Sequence, residues 1–221
     1  MSTPKRPSYL NRLGYHTGLL GGIACLAGAA LVIGHITTKD EIKLRKAEDL
    51  QQSLTQVIPA TLYDNNLLED TLAVPDADEQ TVVVYRARKE GKIVGLAYEV
   101  VKPGYGGDIN LLMAIDPKGE ILGVRVISHS ETPGLGDKME TRKDDWIYDF
   151  NGLSLGAPPP EQWKVKKDGG RFDQWTGATI TPRAIVAAIK GGLEMFQHHQ
   201  QQLLSDPTPE APKSLAGTGH E

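Results

Sequence analysis

The sequence predicts an α+β fold, a mostly antiparallel sheet with flanking helices, placed after one N-terminal transmembrane helix. Three observations carry this reading. No Lys, Arg, Asp or Glu occurs from Tyr15 to Thr38. Alternating apolar stretches between residues 81 and 128 are separated by turn-forming residues, the pattern of half-buried strands. A spacing of three and four then sets in at Ile185, Val186, Ile189, Leu193 and Phe196, as on one face of a helix. Strands framed by helices at both ends point to an α+β domain.

The elements follow in order. Residues 1–14 form a short tail with Lys5, Arg6 and Arg12 and no acid. Residues 15–38 form the transmembrane helix, whose apolar centre from Gly18 to Ile36 is close to the about 20 residues that cross a bilayer. That centre is longer than the apolar region of a cleaved signal peptide. Cys25 does not make a lipoprotein site, because Gly22 stands where a bulky aliphatic residue is needed and the apolar run continues beyond it. Gly14, Gly18 and Gly22 place small residues on one face of the span. Residues 39–58 read as an amphipathic linker helix with Leu44, Ala47, Leu50, Leu54 and Val57 on one stripe, ended by Pro59.

Residues 59–204 form the soluble domain. Residues 64–80 read as a short helix and a loop. Thr81–Arg88 and Lys92–Val101 flank Lys89-Glu90-Gly91 as one hairpin, and Ile109–Ile115 and Glu120–Ser128 flank Asp116-Pro117-Lys118-Gly119 as a second. Pro103-Gly104-Tyr105-Gly106-Gly107 joins them. Asp145–Phe150 reads as a helical turn, and a third hairpin is expected from Trp163–Lys167 and Arg171–Gln174 around Asp168-Gly169-Gly170. Thr181 is expected to cap the last helix and Pro182 to be its first residue. Residues 205–221 hold Pro207, Pro209, Pro212, Gly217 and Gly219 among few apolar residues and read as a disordered tail.

Composition excludes several functions. The chain has 221 residues and a net charge of −4, with no basic stripe interleaved with aromatics, so no nucleic-acid partner is expected. With Cys25 as its one cysteine, the chain cannot build a disulfide, an iron–sulfur cluster or a cysteine zinc site from its own residues. His198 and His199 lack partners at metal-ligand spacing, so no metal is assigned. Asp144 and Asp145 are adjacent and do not share a face, and the glycine-rich stretches lack the Lys-Ser/Thr ending of a P-loop. No catalytic residue is assigned.

Two segments remain. His129-Ser130-Glu131-Thr132-Pro133-Gly134-Leu135-Gly136 follows a strand end, and its glycines let backbone approach a ligand closely. Asp173-Gln174-Trp175-Thr176-Gly177-Ala178-Thr179-Ile180-Thr181-Pro182 brings three threonines to a helix N-terminus, where N–H groups and the dipole favour a phosphate. A bare Thr-Pro marks only a well-capped helix; the longer Asp-x-x-Thr-Gly-Ala-Thr pattern says more. It resembles the motif on which a flavin transferase esterifies FMN to threonine in FMN-binding subunits of bacterial membrane redox pumps.

The succession Gly104-Tyr105-Gly106-Gly107, Ile115-Asp116, His129-x-Glu131-Thr132-Pro133-Gly134-Leu135-Gly136-Asp137-Lys138, Asp145-Trp146-Ile147 and Thr176-Gly177-Ala178-Thr179-x-Thr181 resembles the G subunit of the Rnf ferredoxin:NAD⁺ electron-transport complex over roughly residues 10–200. The resemblance implies a domain carrying covalent FMN on Thr179, with Thr176, Gly177, Ala178 and Thr181 shaping the acceptor loop. It also implies that Glu131, Thr132, Pro133, Gly134, Leu135 and Gly136 lie near the ring. The implied partners are the other membrane subunits of the complex, among them a second flavin-bearing subunit, and the flavin transferase during maturation. The implied place is the cell inner membrane, single-pass, with residues 1–14 cytoplasmic and the C-terminal domain periplasmic. Flanking Lys and Arg, three before the span against four after it, do not set that orientation themselves. Two other readings are the C subunit of the sodium-pumping NADH:quinone reductase, which shares the FMN domain, and a membrane-anchored structural or sensor protein on the same fold.

Overall fold

The computed structural model describes residues 13–76 and 79–205. Most of the 1–14 tail, and the disordered tail expected over 205–221 apart from Ser205, lie outside the described residues. The chain divides into two compact units, Met1–Leu50 and Gln51–Glu221. In the first, helix α1 (Leu13–Val57) begins, and its Gly14–His35 window has a mean hydropathy of 2.0 and no buried residue. That window is long and apolar enough to cross a membrane.

The second unit is built on a five-stranded sheet in sequential order, antiparallel throughout: β1 (Thr71–Pro75), β2 (Thr81–Lys89), β3 (Lys92–Pro103), β4 (Asp108–Ile115) and β5 (Ile121–Ser128). Both expected hairpins are present. The first turns on Glu90 and Gly91, both at positive φ (51° and 78°), which a two-residue hairpin needs to match the twist of its strands. The segment expected as helix and loop instead contributes β1. Asp70, just before that strand, accepts from Arg86 Nε at 2.6 Å and from Arg88 Nε at 2.5 Å, so two arginines of β2 fix where the edge strand starts. Burial raises the Asp70 carboxyl, but the bonds and charges of Arg88 and Arg86 outweigh it and hold the group below its ordinary range.

Pleating sorts the side chains onto two faces. Leu72, Val84, Tyr98, Met113 and Val124 stand opposite one another in register, a row across all five strands. Helix α2 (Ile180–Leu204) covers that face with Ile185, Val186, Ile189, Leu193 and Phe196 buried, the stripe its sequence spacing marks out. The two surfaces meet at Gly192, whose carbonyl accepts from the buried Tyr98 hydroxyl at 2.9 Å. On the other face the end of α1 packs Leu54, Val57 and Ile58: a Cβ at Gly95 would touch Ile58, and one at Gly123 would meet the Val57 carbonyl at 3.1 Å.

The expected third hairpin does not form. Val165 and Phe172 make one parallel bridge around the 3₁₀ turn Lys166–Asp168. Its alternating Trp163, Val165 and Phe172 are buried, but against an aromatic cluster rather than as a ladder. Phe150 stacks on Phe172 at 4.6 Å between centroids, Trp163 lies 5.2 Å from Phe172, and Trp146 meets Phe150 and Trp175 edge-on at 5.1 and 5.0 Å. Such pairs contribute about 0.5–1.5 kcal/mol each beyond their buried area. All three tryptophans of the chain are in this cluster, beside the loop that precedes α2.

Gly192 and Gly191 give opposite expectations. A Cβ at Gly192 would overlap Met113 Sδ and lie 2.9 Å from Val100 Cγ1, whereas one at Gly191 meets nothing within 4 Å. Gly192→Ala is therefore expected to destabilise by ~1–3 kcal/mol through overpacking. Gly191→Ala should stabilise by up to ~1 kcal/mol through helix propensity. Thermal unfolding of the two variants should move Tm in opposite directions.

Candidate functional site

The loop that ends in Thr179 rests on the aromatic cluster. Trp175 is buried against Trp146, whose indole N–H donates to the Asp173 carbonyl at 3.0 Å. Gly177, at φ +85°, lets the chain turn so that the Ala178 N–H donates to the Trp175 carbonyl at 3.1 Å. Thr176 is exposed and Thr179 half-buried. The structure corrects the expected cap. Thr179, not Thr181, is the N-cap of α2, with helical dihedrals (φ −65°, ψ −27°) and no capping bond from its own side chain. Pro182 is thus the third helical residue, a place where a missing N–H also costs nothing. The Thr179 hydroxyl stands at the positive end of a 25-residue helix and caps nothing.

Thr181 turns inward instead. It is buried and donates its hydroxyl to Glu131 Oε2 in a short bond. The other oxygen of Glu131 accepts from the Tyr105 N–H at 2.8 Å and from the Gly106 N–H at 2.9 Å. Glu131 is itself buried. One carboxylate therefore joins three segments distant in sequence: the Gly104–Gly107 turn, the 131–136 loop and the first turn of α2. Packing around it is tight. A Cβ at Gly136 would lie 2.8 Å from Glu131 Oε2 and 2.9 Å from Thr181 Oγ1, a Cβ at Gly104 would overlap Glu131 Oε1, and one at Gly106 would overlap the Ser130 carbonyl.

The two glycines beside Leu135 serve different needs. Gly134 has φ +79° and open space around it, while Gly136 has φ −90° and no room for a side chain. The loop's N–H groups are turned to its own use. Leu135 and Gly136 both donate to the Thr132 carbonyl at 3.1 Å, and Gly134 donates to Asp137 Oδ2 at 2.8 Å. The turn itself therefore uses these three N–H groups. Leu135 is 47% exposed, and a Cβ on Gly177 would be 3.9 Å from its Cδ2, so the loop and the Gly177 turn adjoin.

A charged network holds the loop from behind. Lys143 Nζ reaches Asp137 Oδ2 at 2.5 Å and Glu140 Oε1 at 3.0 Å. The Lys143 ammonium, and after it the Gly134 N–H, keeps the Asp137 carboxyl below its ordinary range. Bonds from Arg142, then Lys143, push Glu140 down to about 2. A depressed carboxylate adds stability above its unfolded pKa and loses it as pH falls towards the folded one, so Glu140 keeps its partners through mild acid. His129 accepts the Glu131 N–H on Nδ1 at 3.1 Å, which leaves Nε2 to carry the proton towards Glu140, 3.2 Å away.

The structure thus brings the exposed Thr176, Gly177 and Leu135 together with the half-buried Ala178 and Thr179, and Thr181, Glu131 and Gly136 are buried beside them. Thr132 and Pro133 lie on the exposed part of the same loop. Sequence reasoning passed over Tyr105 and Gly106 as site elements, although glycines at 104 and 106 signal close backbone approach. It also passed over the aromatic support, which Trp146 and Trp175 beside the motif could have suggested. Two concavities among the described residues lie elsewhere, one among Asn65, Asp70, Arg86 and Arg88, the other among Tyr85, Glu99, Val101, Ala188 and Met195.

Comparison with known proteins places this geometry. The FMN-binding domain family matches residues 104–194, from the Gly104 turn into α2. The G subunit of the ion-translocating oxidoreductase complex of Cereibacter sphaeroides is 50% identical over 194 residues, covering 87% of this chain and 89% of that one. The corresponding G subunit of Stutzerimonas stutzeri is 45% identical over 90% of this chain and 87% of its own, and that of Vibrio cholerae 42% over 86% and 93%. Among solved structures, Shewanella oneidensis NqrC aligns with a TM-score of 0.46 at 24% identity, covering 65% of this chain and 72% of that one. The C subunit of the Na⁺-translocating NADH-quinone reductase of Parabacteroides distasonis aligns with a TM-score of 0.49 at 17% identity, covering 74% and 96%. On identity and coverage together, this chain belongs to the family of G subunits of ion-translocating oxidoreductase complexes.

Proposed function

We propose that this chain is an electron-carrying subunit of a membrane complex that couples ferredoxin:NAD⁺ electron transfer to ion translocation, with FMN joined through its phosphate to the Thr179 hydroxyl. The observation that carries the reading is the Thr179 hydroxyl itself: half-buried, bound to no cap, and held at the N-terminus of α2 inside the span that matches the FMN-binding domain. The residues around it fit the group. The dipole end of α2 suits a phosphate, and Leu135 beside Gly177 offers an apolar surface that suits the face of a flat ring.

Bound FMN supplies the redox chemistry; the chain positions it. Thr179 tethers, Gly177 gives the turn that presents the hydroxyl, and Thr181 with Glu131 keeps the 131–136 loop against the helix. Thr132 and Pro133, on the open side of that loop, lie where a ring over Leu135 would reach. No proton-transferring group or substrate pocket of its own is required of this subunit: it relays electrons, and the complex is the enzyme. Partners are the other membrane subunits, a second flavin-bearing one among them, and a flavin transferase in maturation. Residues 15–38 anchor the chain in the cytoplasmic membrane, and the domain from 59 to 204 faces the periplasm. A tether suits that side, because a compartment without an FMN pool cannot replace a lost cofactor.

Mass spectrometry of peptides from the 172–183 region should find FMN less one water on Thr179. Thr179→Ala should remove the adduct and leave the membrane-inserted chain colourless, as should expression without a flavin transferase. An adduct on Thr176 or Thr181 would overturn the assignment. For orientation, a reporter active only after export should work when fused near Ser205 and be silent when fused near Ser8; the opposite pattern would reverse the topology and remove the argument for a tether.

A further inference from the structure

The Gly104–Gly107 turn is built with more constraint than a connection between two strands needs. The Gly104 N–H closes it on the Gly107 carbonyl at 2.8 Å, and the next two N–H groups both go to the buried Glu131 carboxylate. Neither Gly104 nor Gly106 has room for a Cβ. Yet Tyr105 between them is 72% exposed, more than any other large apolar side chain among the described residues of the domain. A pinned backbone that holds one aromatic ring in solvent is an unusual use of a buried carboxylate, since a solvated turn satisfies its own N–H groups with water. The same carboxylate reaches Thr181, two residues past Thr179, and abuts Gly136, the neighbour of Leu135. Tyr105, Leu135 (47% exposed) and Ile180 (45%) are thus exposed side chains on the three segments that this carboxylate joins, one of which also carries Thr179. Apolar side chains gathered and left open in this way mark a binding surface.

We propose that Tyr105 is a third wall of the flavin site, its phenol packing on the isoalloxazine of the FMN carried by Thr179. The proposal rests on the carrier reading above and adds a contact to it. Offset or edge-on packing of an aromatic on the flat ring orients the flavin, where the tether alone leaves it free to swing. Glu131 then acts as a positioning residue, bringing the Tyr105 backbone to the same helix end that bears the tether.

The test uses the full-length chain, expressed with a flavin transferase and purified in detergent, as Tyr105→Phe, Tyr105→Ala and, for comparison, Tyr85→Phe on β2. A phenol touching an excited flavin donates an electron to it and quenches its emission; a benzene ring does not. Both Tyr105 variants should keep full flavin content, read by mass, and gain flavin fluorescence several-fold, while Tyr85→Phe should gain none. Visible circular dichroism of the flavin should survive in Tyr105→Phe, which keeps the packing, and collapse in Tyr105→Ala. Trp146 and Trp175 remain in every variant, so any difference reports Tyr105. Fluorescence and dichroism unchanged in both Tyr105 variants, with flavin attached, would overturn the proposal and leave the carrier reading intact. An unsubstituted chain isolated without flavin would instead overturn the carrier reading, and this proposal with it.

Discussion

A single buried carboxylate organises the functional end of this domain. Glu131 takes three hydrogen bonds from groups that local structure leaves without partners: two N–H groups of a glycine turn and the hydroxyl of a helix-embedded threonine. The buried Thr181 hydroxyl left unpaired would cost about 1–3 kcal/mol and the buried carboxylate more, so the three segments are drawn together. Bonds to an ionised acceptor are also stronger than neutral ones. The hydroxyl of Thr179, two residues before Thr181 and on the rim rather than in the clamp, inherits a fixed place and caps nothing.

Two further layers keep that clamp in position. Beneath the Gly177 turn, Trp146 and Trp175 fix the chain entering α2, and the Asp173 carbonyl takes the Trp146 indole N–H. Behind the 131–136 loop, Lys143 bridges Asp137 and Glu140 and so braces the loop. The sheet contributes rigidity rather than chemistry. Its row from Leu72 to Val124 sets the height of α2 through the contact at Gly192, and with it the level at which the N-terminus of the helix emerges. What results is an exposed surface, which suits a carrier whose flavin must pass electrons to and from neighbouring proteins.

How much of this the sequence revealed follows from where each signal resides. The stripe on α2 and both hairpins were legible because their periods are local and their turns chemically specific: Glu90-Gly91 at positive φ, and Asp116 to Gly119. Strand β1 was not, because five residues ending in Pro75 and flanked by acids carry almost no strand pattern; the pairing of Asp70 with two arginines 16 and 18 residues later sets it. Trp163, Val165 and Phe172 imitated a strand by alternation, while their burial came from other aromatics. The acceptor motif itself was plain, but the cap was misplaced by two residues, since Thr181 had a stronger use for its hydroxyl than capping. The clamp made by the Glu131 carboxylate was not legible. Its partners lie 25, 26 and 50 residues away, beyond any local pattern.

The central claim is that Glu131, by binding three segments at once, builds the surface that holds the flavin. Amide hydrogen exchange at Tyr105 and Gly106, compared between the unsubstituted chain and Glu131→Ala, tests it most directly. The account predicts that both amides lose their protection in the variant while those of β3 and β4 keep theirs. Unchanged protection at Tyr105 and Gly106 would contradict it.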